Sequence, residues 1–108
     1  MKRMVKHGEV VLKEVDSIPG GAKLVNVKDF VIIGESETKF NDHRAQVLED
    51  TLVYEYEGTL YIKNQTELKV YCPNPVRHAT ETLPDSIWKV DIAQEFDYST
   101  QEKRRVAD

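Results

Sequence analysis

The sequence is short of several things, and each shortage removes a class of protein. One cysteine, Cys72, in 108 residues excludes an intramolecular disulfide framework, so folding needs no oxidising compartment. The ordinary reading of such a residue is a small buried hydrophobe. No apolar run approaches the ~18 residues a membrane-spanning helix requires. The opening MKRMVKHGEVV lacks the apolar core of a secretion signal, so the expectation is a soluble intracellular protein, neither secreted nor bound to a membrane. A basic excess is also missing: 15 Lys and Arg stand against 19 Asp and Glu, a net charge of −4. Counterion-release binding needs a concentrated basic surface, so nucleic acid is not the expected partner. Repeats, low-complexity tracts and long helical periods are likewise absent.

What is there builds one core. With 40% hydrophobic residues, a chain of this size supports a single domain. Residues 1–98 are expected to form it, and residues 99–108 a polar, mobile tail in which Lys103, Arg104 and Arg105 offer charge to a partner. The charge is uneven. Seven acidic residues against Lys39 and Arg44 lie between Gly34 and Glu57, whereas the first thirty residues carry six Lys and Arg against four acids. The acidic stretch favours a basic partner or a cation.

Period-2 patterning dominates. Val5 to Val15 reads as one strand, punctuated by Ile18-Pro19-Gly20-Gly21, and Ala22 to Val27 as a second. The apolar run Phe30 to Ile33 suits a central strand covered on both faces. Leu52 to Glu57 and Thr59 to Lys63 flank Glu57-Gly58, the clearest hairpin turn, and Asn64-Gln65 offers another tight turn into Leu68 to Cys72. Pro73-Asn74-Pro75 ends that strand, because proline lacks the donor a ladder needs. Arg77 to Leu83 and Ile87 to Phe96 complete the set. Trp88, Val90, Ile92 and Phe96 are expected to share a buried face with Tyr54, Leu60, Ile62, Leu68 and Val70. Seven or eight short strands with regular turns predict an all-β fold, an antiparallel β-sandwich or small barrel.

The stretch that looks like a site is Gly34 to Glu49. In extended backbone His43, Ala45, Val47 and Glu49 fall on one face, so an imidazole and a carboxylate point the same way. Glu35 and Glu37 form an acidic pair upstream. The spacing of His43 and Glu49 resembles the first metal motif of cupin-type, jelly-roll-like β-proteins, in which His-x-His is followed by a Glu; here Ala45 stands where the second His would be. A second motif of that type places another His after a Pro-x-Gly turn: counted from Pro73-Asn74-Pro75 the position is His78, a possible ligand, and counted from Pro84-Asp85-Ser86 it is Lys89, which is none; neither turn carries the glycine. If a divalent transition metal is bound, the resemblance implies His43, Glu49 and His78 as its ligands. With a donor missing, the expectation is that no metal or other cofactor is held.

A second resemblance spans about two thirds of the chain. Gly34-Glu35-Ser36-Glu37-Thr38, His43 to Glu49, Leu83-Pro84 leading into Trp88-Lys89-Val90, Glu95-Phe96-Asp97 and Arg104-Arg105-Val106 resemble a family of small proteins of bacteriophages and mobile elements. In that family the first stretch is closer to Gly-His-Ser-Glu-Thr-Gly followed by a histidine cluster. This chain departs from it at Glu35, in keeping only His43 of the cluster, and at Phe96, where the family has Tyr. The resemblance implies a viral origin, an all-β fold and residence in the host cytoplasm or a virion. Together these readings give two expectations of function. One is a phage-encoded, non-enzymatic binding or interaction protein that engages a host or virion protein through Glu35, Glu37, His43, Glu49 and His78 or through its basic tail. The other is a degenerate cupin-like metal-dependent enzyme.

Overall fold

The computed structural model describes residues 2–34, 42–73 and 79–92, with Ile92 described by its backbone alone. Ten strands follow one another: β1 (Met4–His7), β2 (Val10–Glu14), β3 (Lys23–Leu24), β4 (Asp29–Gly34), β5 (His43–Val47), β6 (Leu52–Tyr56), β7 (Thr59–Asn64), β8 (Leu68–Tyr71), β9 (Glu81–Leu83) and β10 (Ser86–Ile92). They form a six-stranded sheet in the order β1-β2-β10-β7-β6-β3 and a four-stranded sheet in the order β4-β5-β8-β9. Every pairing given is antiparallel. The two sheets pack face to face as a β-sandwich, the all-β architecture the turn spacing predicts. Among the described residues no helix is long and apolar enough to cross a membrane.

The core lies between the sheets. Val10, Leu12, Val53, Ile62, Trp88 and Val90 come from the six-stranded sheet, and Val31, Ile33, Ala45, Leu68, Val70 and Leu83 from the other. Complete burial of a side chain the size of Leu12, Ile62 or Leu68 contributes roughly 1.5–3 kcal/mol. Trp88 is fully buried, and its indole N–H donates to the Pro84 carbonyl at 2.9 Å, so its one polar atom is satisfied inside the fold.

The Glu57-Gly58 hairpin forms as the sequence predicts. Both central residues have positive φ, 51° and 81°, as a type I′ turn demands. Elsewhere the strands depart from the expectation. Val5 to Val15 is two strands, because Gly8 at φ 63° lets the chain reverse through Gly8-Glu9 and sets His7 opposite Val10. The expected strand from Ala22 to Val27 shrinks to β3, although Val25 and Val27 still pack against the core. β4 is an edge strand, its exposed Ile32 facing outward. Asn64-Gln65 does not close a hairpin; it starts the crossover from β7 to β8 in the other sheet. Buried Asn64 holds this corner. Its amide nitrogen donates to the carbonyls of Thr66 at 3.0 Å and Pro84 at 3.0 Å, and its oxygen accepts from the Ser86 N–H at 3.2 Å.

The core assignment needs one change of phase. Val53, opposite Ile62, points inward, while Tyr54 pairs with Tyr61 on the outer face. Alternation in β6 carries apolar side chains at both phases, so period alone did not choose between them. Leu60 packs at the margin of the core. The predicted contributions of the Ile92 side chain and of Phe96 lie outside the described residues.

Candidate metal centre

Three strand ends meet at one end of the sandwich. His7 is the last residue of β1, on the same face as its partner Val10 and therefore directed at the opposite sheet. His43 is the first residue of β5, two positions before buried Ala45. Cys72 follows β8, two positions after buried Val70. The pairing of Arg44 with Tyr71 and of Ala45 with Val70, extended by one step, sets His43 opposite Cys72. Period 2 sends all three side chains into the space between the sheets. They are 2%, 2% and 4% exposed.

The donor atoms converge. His7 Nδ1 and His43 Nδ1 are 2.7 Å apart, with the rings edge to face. That contact needs one ring to carry its proton on Nδ1 and the other to present a lone pair. Cys72 Sγ lies 3.9 Å from His43 Nδ1, and one ligand atom from each of the three residues falls within 4.8 Å of the others. A tetrahedral zinc ion bound at ~2.0–2.1 Å to nitrogen and ~2.3 Å to sulfur places its ligand atoms about 3.3–3.6 Å apart. Side-chain adjustments of about an ångström would therefore bring these atoms to three corners of a tetrahedral shell, the ion taking the place of the proton between the imidazoles.

The backbone beneath the site is tightly packed. Gly34 pairs with His43 after an irregularity in the ladder between Ile32 and Gly34. A methyl group on Gly34 would overlap Val10 Cγ2 from the facing sheet and stand 3.3 Å from His43 Cδ2. Glycine here lets the two sheets approach behind the His43 ring.

The structure places Glu49 away from His43. β5 ends at Val47, already about 13 Å along the strand from His43 at ~3.3 Å per residue. Beyond it the chain turns, the Leu48 N–H donating to Thr51 Oγ1 at 3.0 Å and the Thr51 N–H to the Leu48 carbonyl at 3.1 Å. Glu49 sits in that turn and lines a groove with Val27, Lys28 and Asp29, so alternation from His43 never reaches it. Glu35, Glu37 and His78 lie outside the described residues, as do Lys103, Arg104 and Arg105 and the whole of the expected 99–108 tail. Of the residues proposed from sequence, His43 alone belongs to the described cluster. Neighbouring charges are used elsewhere: Arg44 stacks over the Phe30 ring at 4.2 Å and pairs with Asp42 at 3.6 Å.

His7 and Cys72, the other two members of the cluster, belong to neither sequence motif. The signal for His7 was the Gly8-Glu9 turn, which puts His7 on the face of Val10; for Cys72 it was the phase of Leu68 and Val70. Comparison with protein-family models, with curated proteins and with solved structures found no match.

Proposed function

We propose that the protein is a transition-metal-binding β-sandwich protein whose ligands include His7, His43 and Cys72. The observation that carries this reading is the convergence of two imidazole nitrogens and one thiol sulfur, from three separate strands, inside the sandwich. Two nitrogens and a sulfur form a borderline-soft set suited to zinc, cobalt, nickel or copper, while magnesium and calcium prefer all-oxygen shells. Binding requires the thiolate and neutral imidazoles, so uptake releases protons. The expectation of no bound metal rests on His43, Ala45, Glu49 and His78 alone; His7 and Cys72 supply two further donors.

Calorimetric titration of metal-stripped protein with zinc tests the reading. About one equivalent per chain is expected, together with a large loss of affinity in His43→Ala. Absence of uptake by the parent protein, or uptake indifferent to His43→Ala, would overturn it.

A further inference from the structure

The three donors do not belong to one sheet. His7 is carried by β1 of the six-stranded sheet, His43 by β5 and Cys72 by the end of β8 in the four-stranded sheet. From this division we infer that the ion is an inter-sheet clamp, a zinc-class ion that fastens the β1–β2 hairpin to the opposite sheet. The inference rests on the metal-binding reading above and adds the role of the ion to it.

The hairpin is the part of the site with most need of fastening. β1 is an edge strand, hydrogen-bonded within its sheet to β2, and it runs beside β9, the edge of the other sheet. Met4 is 54% exposed, and Val5 is only partly buried against the core. The shorter polar ties at its start run to its own hairpin, the Arg3 guanidinium and backbone N–H donating to the Glu14 carboxylate at 3.1 Å and 2.9 Å; beyond the hairpin the exposed guanidinium reaches, among the described residues, only the Asp85 carbonyl, at 3.4 Å, and the Trp88 ring. His7 carries the polar contact of β1 across to the other sheet, its Nδ1 2.7 Å from that of His43. β5, by contrast, is paired on both sides, by β4 and β8. An ion bridging His7 to His43 and Cys72 therefore joins the lightly held element to the firmly held one.

A clamp and simple binding differ in where they act. Any ligand bound only by the folded state raises global stability and slows exchange uniformly at amides that exchange through global unfolding. A clamp also suppresses the local opening of one segment. Hydrogen exchange should be followed in metal-stripped protein and in protein loaded with zinc, with one equivalent verified by elemental analysis.

The expected result is that amides of β1 and of the Gly8-Glu9 turn slow at least tenfold more on loading than those of the β6–β7 hairpin. In His7→Ala that selective protection should disappear, and in Arg3→Ala, which leaves the donors in place, it should persist. Bound zinc with uniform protection, or with selective protection kept in His7→Ala, overturns the clamp and leaves the metal site standing. Failure of the parent protein to take up zinc removes both.

Discussion

The Nδ1 atoms of His7 and His43 lie 2.7 Å apart across the sandwich although 36 positions separate them in the chain. Two antiparallel pairs, β1–β2 and β4–β5, and the two connections on either side of β3 bring them together, and Cys72 arrives from the end of β8. The site is thus a product of strand ends, and the packing that fixes those ends should control it.

Trp88 tests the packing first. It is fully buried in the central strand β10, between β2 and β7. Trp88→Ala should cost roughly 3–5 kcal/mol, read from the midpoint of urea unfolding. A loss within ~1 kcal/mol, the range of a surface change, would refute the core assignment.

Gly34 offers a paired comparison. Gly34→Ala drives a methyl group into Val10 and against His43, whereas an added methyl at Gly20 meets nothing within 4 Å. Overpacking should destabilise the first protein by about 1–3 kcal/mol and leave the second near the parent. Equal stabilities in chemical unfolding would show that the sheets separate freely at Gly34.

Acid should act through Glu14. Hydrogen bonds from the Arg3 guanidinium, from the Ser86 hydroxyl and from the Arg3 N–H hold its carboxyl down at about 2, from an ordinary 4.5. A carboxyl depressed by folding stabilises fully above its unfolded value and loses that contribution as pH falls toward its folded value. The stability difference between the parent and Glu14→Gln should therefore be largest near neutrality and shrink as pH drops from 4.5 toward 2. Unfolding curves that keep a constant difference across that window would contradict the assignment.

Ala45 addresses the cupin-type resemblance. It is completely buried, opposite Val31 on one side and Val70 on the other, so the inner face there is filled. Ala45→His should destabilise by more than ~1 kcal/mol through overpacking and a buried polar ring. A variant as stable as the parent with higher zinc affinity would instead favour a His43-x-His site.

The fold was largely legible because strand period and turn chemistry are local. Glu57-Gly58 announced its hairpin, since glycine readily takes the positive φ of that turn. The site was less legible because it depends on faces and pairings that are not local. Reading Val5 to Val15 as one strand puts His7 and Val10 on opposite faces; the turn at Gly8 puts them on the same one. His43 meets Cys72 because β5 pairs with β8 across the intervening β6–β7 hairpin, a relation no spacing motif encodes. Alternation from His43 would include Glu49 only if β5 ran past Val47, where the chain instead enters a turn closed by Thr51.

Cobalt substitution gives the most direct view of the central claim, because a Co(II)–thiolate bond has a charge-transfer absorption that imidazole and carboxylate ligands do not produce. Titrating the metal-stripped protein with Co(II) should develop that band, with tetrahedral visible transitions, and saturate near one equivalent. Cys72→Ser should abolish the charge-transfer band, and His7→Ala and His43→Ala should each weaken binding at least tenfold. No thiolate band in the parent protein, or a band unchanged by removing either histidine, would contradict a metal centre built from His7, His43 and Cys72.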